Sequence, residues 1–111
     1  MKKLVVLLLA PVILGSCFSA KVFTPTQADV DRIASSNPGT TLEDLKKGMS
    51  LYQANCGKCH ALKKPSARSA EQWNEIVPRM SKKVNKKEEK LTAADQELVT
   101  RYLVTMCQVS K

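Results

Sequence analysis

The chain has 111 residues, with 18 lysines and arginines against 10 acids and one histidine, for a formal net charge of +8. That length suits one small domain with a limited core, and the positive excess points to an anionic partner surface. Aromatic residues make up only 5% of the chain and no nucleic-acid recognition motif occurs, which argues against a nucleic-acid partner.

The N-terminus reads as an export signal. Met1-Lys2-Lys3 is a short basic head, and Leu4 to Leu14 is an apolar run broken only by Ala10 and Pro11. About 20 apolar residues are needed to span a bilayer, so this run is too short. Leu14-Gly15-Ser16-Cys17 places small residues directly before a cysteine and resembles the lipobox of bacterial lipoproteins. The resemblance implies cleavage before Cys17 and lipidation of that residue. The expected product is exported and lipid-anchored to a bacterial membrane, facing the periplasm. The signal peptide is assigned to residues 1–16, a tether to 17–23, an N-terminal extension helix and turn to 24–40, and the main domain to 41–111. Loss of Lys2 and Lys3 leaves a net charge of +6.

Thr24-Pro25-Thr26-Gln27 combines a capping threonine, a proline at a first helical position and a glutamine three residues after the cap. A short helix to about Ala34 follows, ended by the turn cluster Ser35-Ser36-Asn37-Pro38-Gly39. The next helix opens at Thr41-Leu42-Glu43-Asp44 and carries Leu42, Leu45, Met49 and Tyr52 at helical spacing. Gly48 inside it costs about 1 kcal/mol relative to alanine, so a close helix crossing is expected there. Ser69-Ala70-Glu71-Gln72 is another capping box, opening a helix with Trp73, Ile76 and Val77 on one face. Pro78 is expected to end or kink that helix, with Lys82 to Lys90 as a solvated loop. Leu91-Thr92-Ala93-Ala94-Asp95 starts the last helix, whose stripe is Leu98, Val99, Tyr102, Leu103, Met106 and Cys107. The pattern predicts an all-α domain of about four short helices.

Cys56-Gly57-Lys58-Cys59-His60 carries the chemistry. Two thiols about one helical turn apart suit thioether bonds to the vinyl groups of one haem, and the adjoining histidine is placed to ligate its iron. A redox dithiol would expect a βαβ context, which is absent. A zinc site would have to recruit Cys107 across the whole domain. His60 is the single histidine, so a second axial ligand must be another residue type. Met80 is the candidate: Trp73, Ile76, Val77 and Met80 share a helical face that can line a porphyrin, with Met80 leaving the helix end to meet the iron. Trp73 is expected to pack on the haem or bond a propionate. Met49 and Met106 read as core. Cys107, left unpaired, reads as a buried thiol or as the site of an intermolecular disulfide.

Together, Gly48-x-x-Leu51-Tyr52 ahead of the attachment motif, then Trp73 and Met80, then Tyr102-Leu103 in the final helix, resemble a class I monohaem cytochrome c, of the small bacterial lipoprotein type. The resemblance runs from about Leu42 to Val109. It implies a cytochrome c-like fold around one haem c, bound through Cys56 and Cys59 and ligated by His60 and Met80. It also implies an electron carrier rather than an enzyme, and Gly48 making room for Tyr102. A proline carbonyl would fix the histidine ring proton in that family, and here Pro65 stands only five residues after His60. Lys63, Lys64, Arg68, Arg79, Lys82 and Lys83 could form a docking ring for an acidic redox protein. A fixed subunit of a larger oxidase or dehydrogenase, and a five-coordinate haem that binds a gas or peroxide, are the competing readings.

Overall fold

The computed structural model describes residues 23–57, 61–87 and 91–109. Among these residues lie four α-helices and one short 3-10 turn, Pro65–Ala67, with no strand. The helices are α1 (Gln27–Ile33), α2 (Leu42–Cys56), α3 (Ala70–Lys87) and α4 (Ala93–Met106). The all-α expectation holds. No helix among the described residues is long and apolar enough to cross a membrane.

Local chemistry sets the helix starts. Thr41 caps α2: its hydroxyl accepts from Asp44 N–H at 3.1 Å, while the Asp44 carboxylate accepts from Thr41 N–H at 3.0 Å. Thr92 and Asp95 repeat the arrangement at α4, and Ser69 and Gln72 at α3. Each exchange satisfies two backbone donors that the first helical turn leaves without partners. The α1 cap falls at Thr26 rather than Thr24, because Asp29 is the acid positioned to accept from the Thr26 N–H, at 2.8 Å.

The largest helix interface is α2 against α4. Gly48 makes it possible. A Cβ there would meet the Leu98 carbonyl oxygen and carbon and come within 2.8 Å of Tyr102 Cβ. The expected glycine-to-tyrosine crossing is therefore present. Around it Tyr52, Val99, Tyr102, Leu103 and Met106 form one buried cluster with Trp73 and Val77 of α3. Burial of side chains of this size contributes about 1.5–3 kcal/mol each. The helix α1 lies against the end of α4, where Arg32 donates to the Thr105 carbonyl at 3.2 Å and pairs with Asp29 at 2.9 Å.

The helix α3 departs from the expectation. It continues through Pro78 to Lys87, so the expected break and much of the expected loop are helical. Proline removes one backbone donor and leaves the carbonyl four residues earlier, at Asn74, without its helical partner. Asn74 and Pro78 are both exposed, so water can serve that carbonyl. Beyond the proline, Ser81 is buried and bonds back to the Val77 carbonyl at 2.7 Å, while the lysines are good helix formers. Asn85 closes the far end. Its amide bonds both the N–H and the C=O of Leu91, at 3.1 and 2.9 Å, and so ties the end of α3 to the start of α4.

Candidate functional site

Cys56 is the last residue of α2 and is buried, and removal from water pushes its thiol up to about 11. A neutral, desolvated thiol at a helix end lies where the chain turns toward the rest of the attachment motif. Cys59 and His60 lie outside the described residues, as does Cys17. The chain re-enters the described region at Ala61.

Cys56 opens onto a half-open cleft of about 170 Å³ that is also lined by Tyr52, Lys63, Arg68, Trp73, Ile76, Arg79 and Met80. Three elements build it: the end of α2, the segment around the 3-10 turn, and α3 from Trp73 to Met80. Of the expected face of α3, Trp73, Ile76 and Met80 line the cleft and Val77 does not. Ile76 and Met80, one turn apart, are half-buried on the cleft wall, while Val77 turns into the core beside Trp73. Met80 therefore stands on the cleft with Cys56, but in the body of a continuous helix and not at a helix end. Met106 is core as expected, and Met49 packs on that core.

Two aromatic side chains hold the segment that follows the motif. Tyr52 donates from its hydroxyl to the Lys63 carbonyl at 2.6 Å, and Trp73 donates from Nε1 to the Pro65 carbonyl at 2.7 Å. The two rings meet edge to face, with centroids 6.1 Å apart and planes at 80°. An indole has one N–H donor, so Trp73 presents its ring to the cleft while its nitrogen anchors the turn. The Pro65 carbonyl accepts from Arg68 N–H as well, at 3.4 Å, which fills both of its lone-pair positions. Burial pushes the Tyr52 hydroxyl up to about 12, with the Cys56 thiol adding to the rise and the bond to Lys63 opposing it.

The role of Tyr52 as an anchor was not legible in the sequence, because a tyrosine in a helical stripe reads as core whatever its hydroxyl reaches. The cleft also gathers cations from separate segments, Lys63, Arg68 and Arg79, with no acid among the described residues that line it. Sequence spacing held one clue to this, since Ile76, Arg79 and Met80 lie within one turn of each other. The cleft is a fair match to a haem in character. It offers a thiol for covalent attachment, a thioether and flat apolar walls for the macrocycle, and cations for its carboxylates. Its volume is below the roughly 300 Å³ at which buried ligand pockets begin, so these walls would enclose part of the group and leave an edge outside.

A second, larger hollow of about 470 Å³ lies between α3 and α4, lined by Asn37, Asn74, Glu97, Thr100, Arg101, Val104 and Thr105. It contains none of the residues that the sequence singles out. Cys107 is half-buried at the end of α4, where its thiol donates to the Val104 carbonyl at 3.1 Å, and burial raises its pKa.

A family model described as dihaem cytochrome c matches residues 52–111, from the Tyr52 anchor through the whole of α3 and α4. No curated protein and no solved structure matches the chain.

Proposed function

This chain belongs to the dihaem cytochrome c family, not the monohaem class I group that its residues resemble, and within that family we propose that it is a lipid-anchored carrier of single electrons holding one haem. The observation that carries the reading is the cleft itself, which sets Met80 and the apolar face of α3 across from Cys56, the first thiol of the attachment motif. One Cys-x-x-Cys-His motif occurs within these 111 residues, which supports one haem per chain. Cys56 and Cys59 would hold the macrocycle, and His60 and Met80 would be the iron's protein ligands. A bound haem supplies a ferric–ferrous couple, and histidine–methionine ligation raises its potential.

The chain's own residues hold the site rigid and dry. Tyr52 and Trp73 clamp the backbone at Lys63 and Pro65, three and five residues after His60, and so limit how far the ligand segment can move. Ile76 and the Trp73 ring exclude water from the cleft wall. No acid stands among the described residues that line the cleft, and an iron held by two protein ligands would suit electron passage, which favours a carrier over an enzyme. Anchoring through Cys17 would confine the domain to a membrane surface, where Lys82 and Lys83, both exposed on α3, are placed to meet an acidic redox protein.

The decisive experiment combines the mass and visible spectrum of the protein expressed with haem-attachment machinery. One haem per chain and a low-spin ferrous spectrum that Met80→Ala abolishes are expected. A mass without haem refutes the reading, and an unchanged spectrum in Met80→Ala removes Met80 as ligand. A six-coordinate spectrum also separates the carrier from a five-coordinate sensor. Copurification with a larger complex in mild detergent would mark a fixed subunit instead.

A further inference from the structure

The cleft holds three cations that have so far been given only a general affinity for carboxylates, with no division of roles among them or against the other surface lysines. Lys63 and Arg68 flank the 3-10 turn, and Arg79 lies on α3 one residue before Met80. All three are exposed at their outer parts yet line the same cavity as Cys56. Their sequence positions alone would assign them to a docking ring with Lys82 and Lys83. The structure separates the two groups, because Lys82 and Lys83 do not line the cleft.

Resting on the haem reading above, we infer that Arg68 and Arg79, assisted by Lys63, form the carboxylate clamp for the haem propionates, and that partner docking is left to the lysines farther along α3. The argument is one of donors. The Tyr52 hydroxyl is engaged by the Lys63 carbonyl and the Trp73 Nε1 by the Pro65 carbonyl, so neither neutral donor on the cleft wall is free for a carboxylate. Arg68 uses one nitrogen on the Ala67 carbonyl at 2.9 Å and keeps the rest of its five N–H groups. A guanidinium fork matches a carboxylate in two parallel bonds, which suits a planar group entering edge-on. The geometry of haem adds direction: its vinyl and propionate groups leave opposite edges of the ring. Cys56 would hold the vinyl edge, so the carboxylates must find cations elsewhere on the rim, and no acid stands among the described residues that line the cleft.

The test uses the haem-loaded full chain. Arg68→Gln, Arg79→Gln and the double variant are compared with Lys82→Gln and Lys83→Gln by spectroelectrochemical titration at high salt, where surface charges are screened. Haem per chain is first checked by mass. Loss of a cation beside a propionate leaves more negative charge near the iron and favours the ferric state. The potential should fall in each arginine variant, fall further in the double, and recover most of its value in Arg68→Lys and Arg79→Lys. The lysine controls should hold the parent potential while lowering the salt-dependent rate with an acidic redox partner. A double glutamine variant with full haem content and an unchanged potential overturns the inference, as does an equal fall in the lysine controls. A parent chain without haem overturns the underlying reading as well, and the mass shows this before any titration begins.

Discussion

Gly48→Ala tests the helix crossing on which the cleft is built. The added methyl would lie 2.8 Å from Tyr102 Cβ and 2.9 Å from the Leu98 carbonyl carbon, and closer still to that carbonyl's oxygen. Two of the three obstacles are backbone atoms of α4, which no rotamer change can move. The helices must part by about 0.5–1 Å, and a gap of that size forfeits a quarter to a half of the dispersion energy of each facing contact. Overpacking of this kind costs about 1–3 kcal/mol or more, against about 1 kcal/mol gained from helix propensity. With backbone atoms as the obstacles the upper end of that cost, about 3 kcal/mol, applies, so the expected net loss is about 2 kcal/mol, which for a domain of this size lowers Tm by about 8–16 °C. Thermal unfolding of the haem-loaded protein, followed by far-UV circular dichroism, measures it. Ser50→Ala, on the exposed side of the same helix, is the control and should shift Tm little. A Gly48→Ala protein as stable as its parent would refute the close crossing.

Three further outcomes follow from particular bonds. Tyr52→Phe should remove the 2.6 Å bond to Lys63 and cost about 1 kcal/mol, with faster amide hydrogen exchange confined to residues 61–64; exchange unchanged there would show that the hydroxyl anchors nothing. Asn85→Ala should leave the N–H and C=O of buried Leu91 without partners at a cost of about 1–3 kcal/mol, read from denaturant unfolding, and a neutral result would mean that water replaces the amide. Alkaline pH should unfold the domain. Burial raises Tyr52 from 10.0 to about 12, and it raises Tyr102 as well, so the unfolded chain releases these protons first. Stability is then fully present below about pH 10 and falls as pH climbs toward the folded value. Should Cys56 carry the proposed thioether, its coulombic contribution to Tyr52 disappears and burial remains the cause. Tyrosinate absorbance should rise together with loss of helix signal; ordinary titration near pH 10 with the helices intact would refute the burial argument.

The capping pairs at Thr41, Ser69 and Thr92 and the apolar stripes are local patterns, and all were legible in the residue order. So was the tension at Gly48, where a poor helix former in a helical stripe announced a close neighbour. These features depend on spacing along one chain segment, which is what hydrogen-bond and helix geometry read directly. Pro78 misled because a local rule was outweighed: one lost backbone bond on an exposed face costs less than the packing and capping gained by carrying α3 on to Asn85 and Lys87. Tertiary structure alone decided which donors remain free at the cleft, since Tyr52 reaches Lys63 and Trp73 reaches Pro65 only after α2 and α3 have packed. It also decided that Arg68 and Arg79, eleven positions apart, share one cavity with Cys56. Charge composition is a property of the sequence, but which charges face a ligand and which face a partner is set by the fold that brings distant segments together.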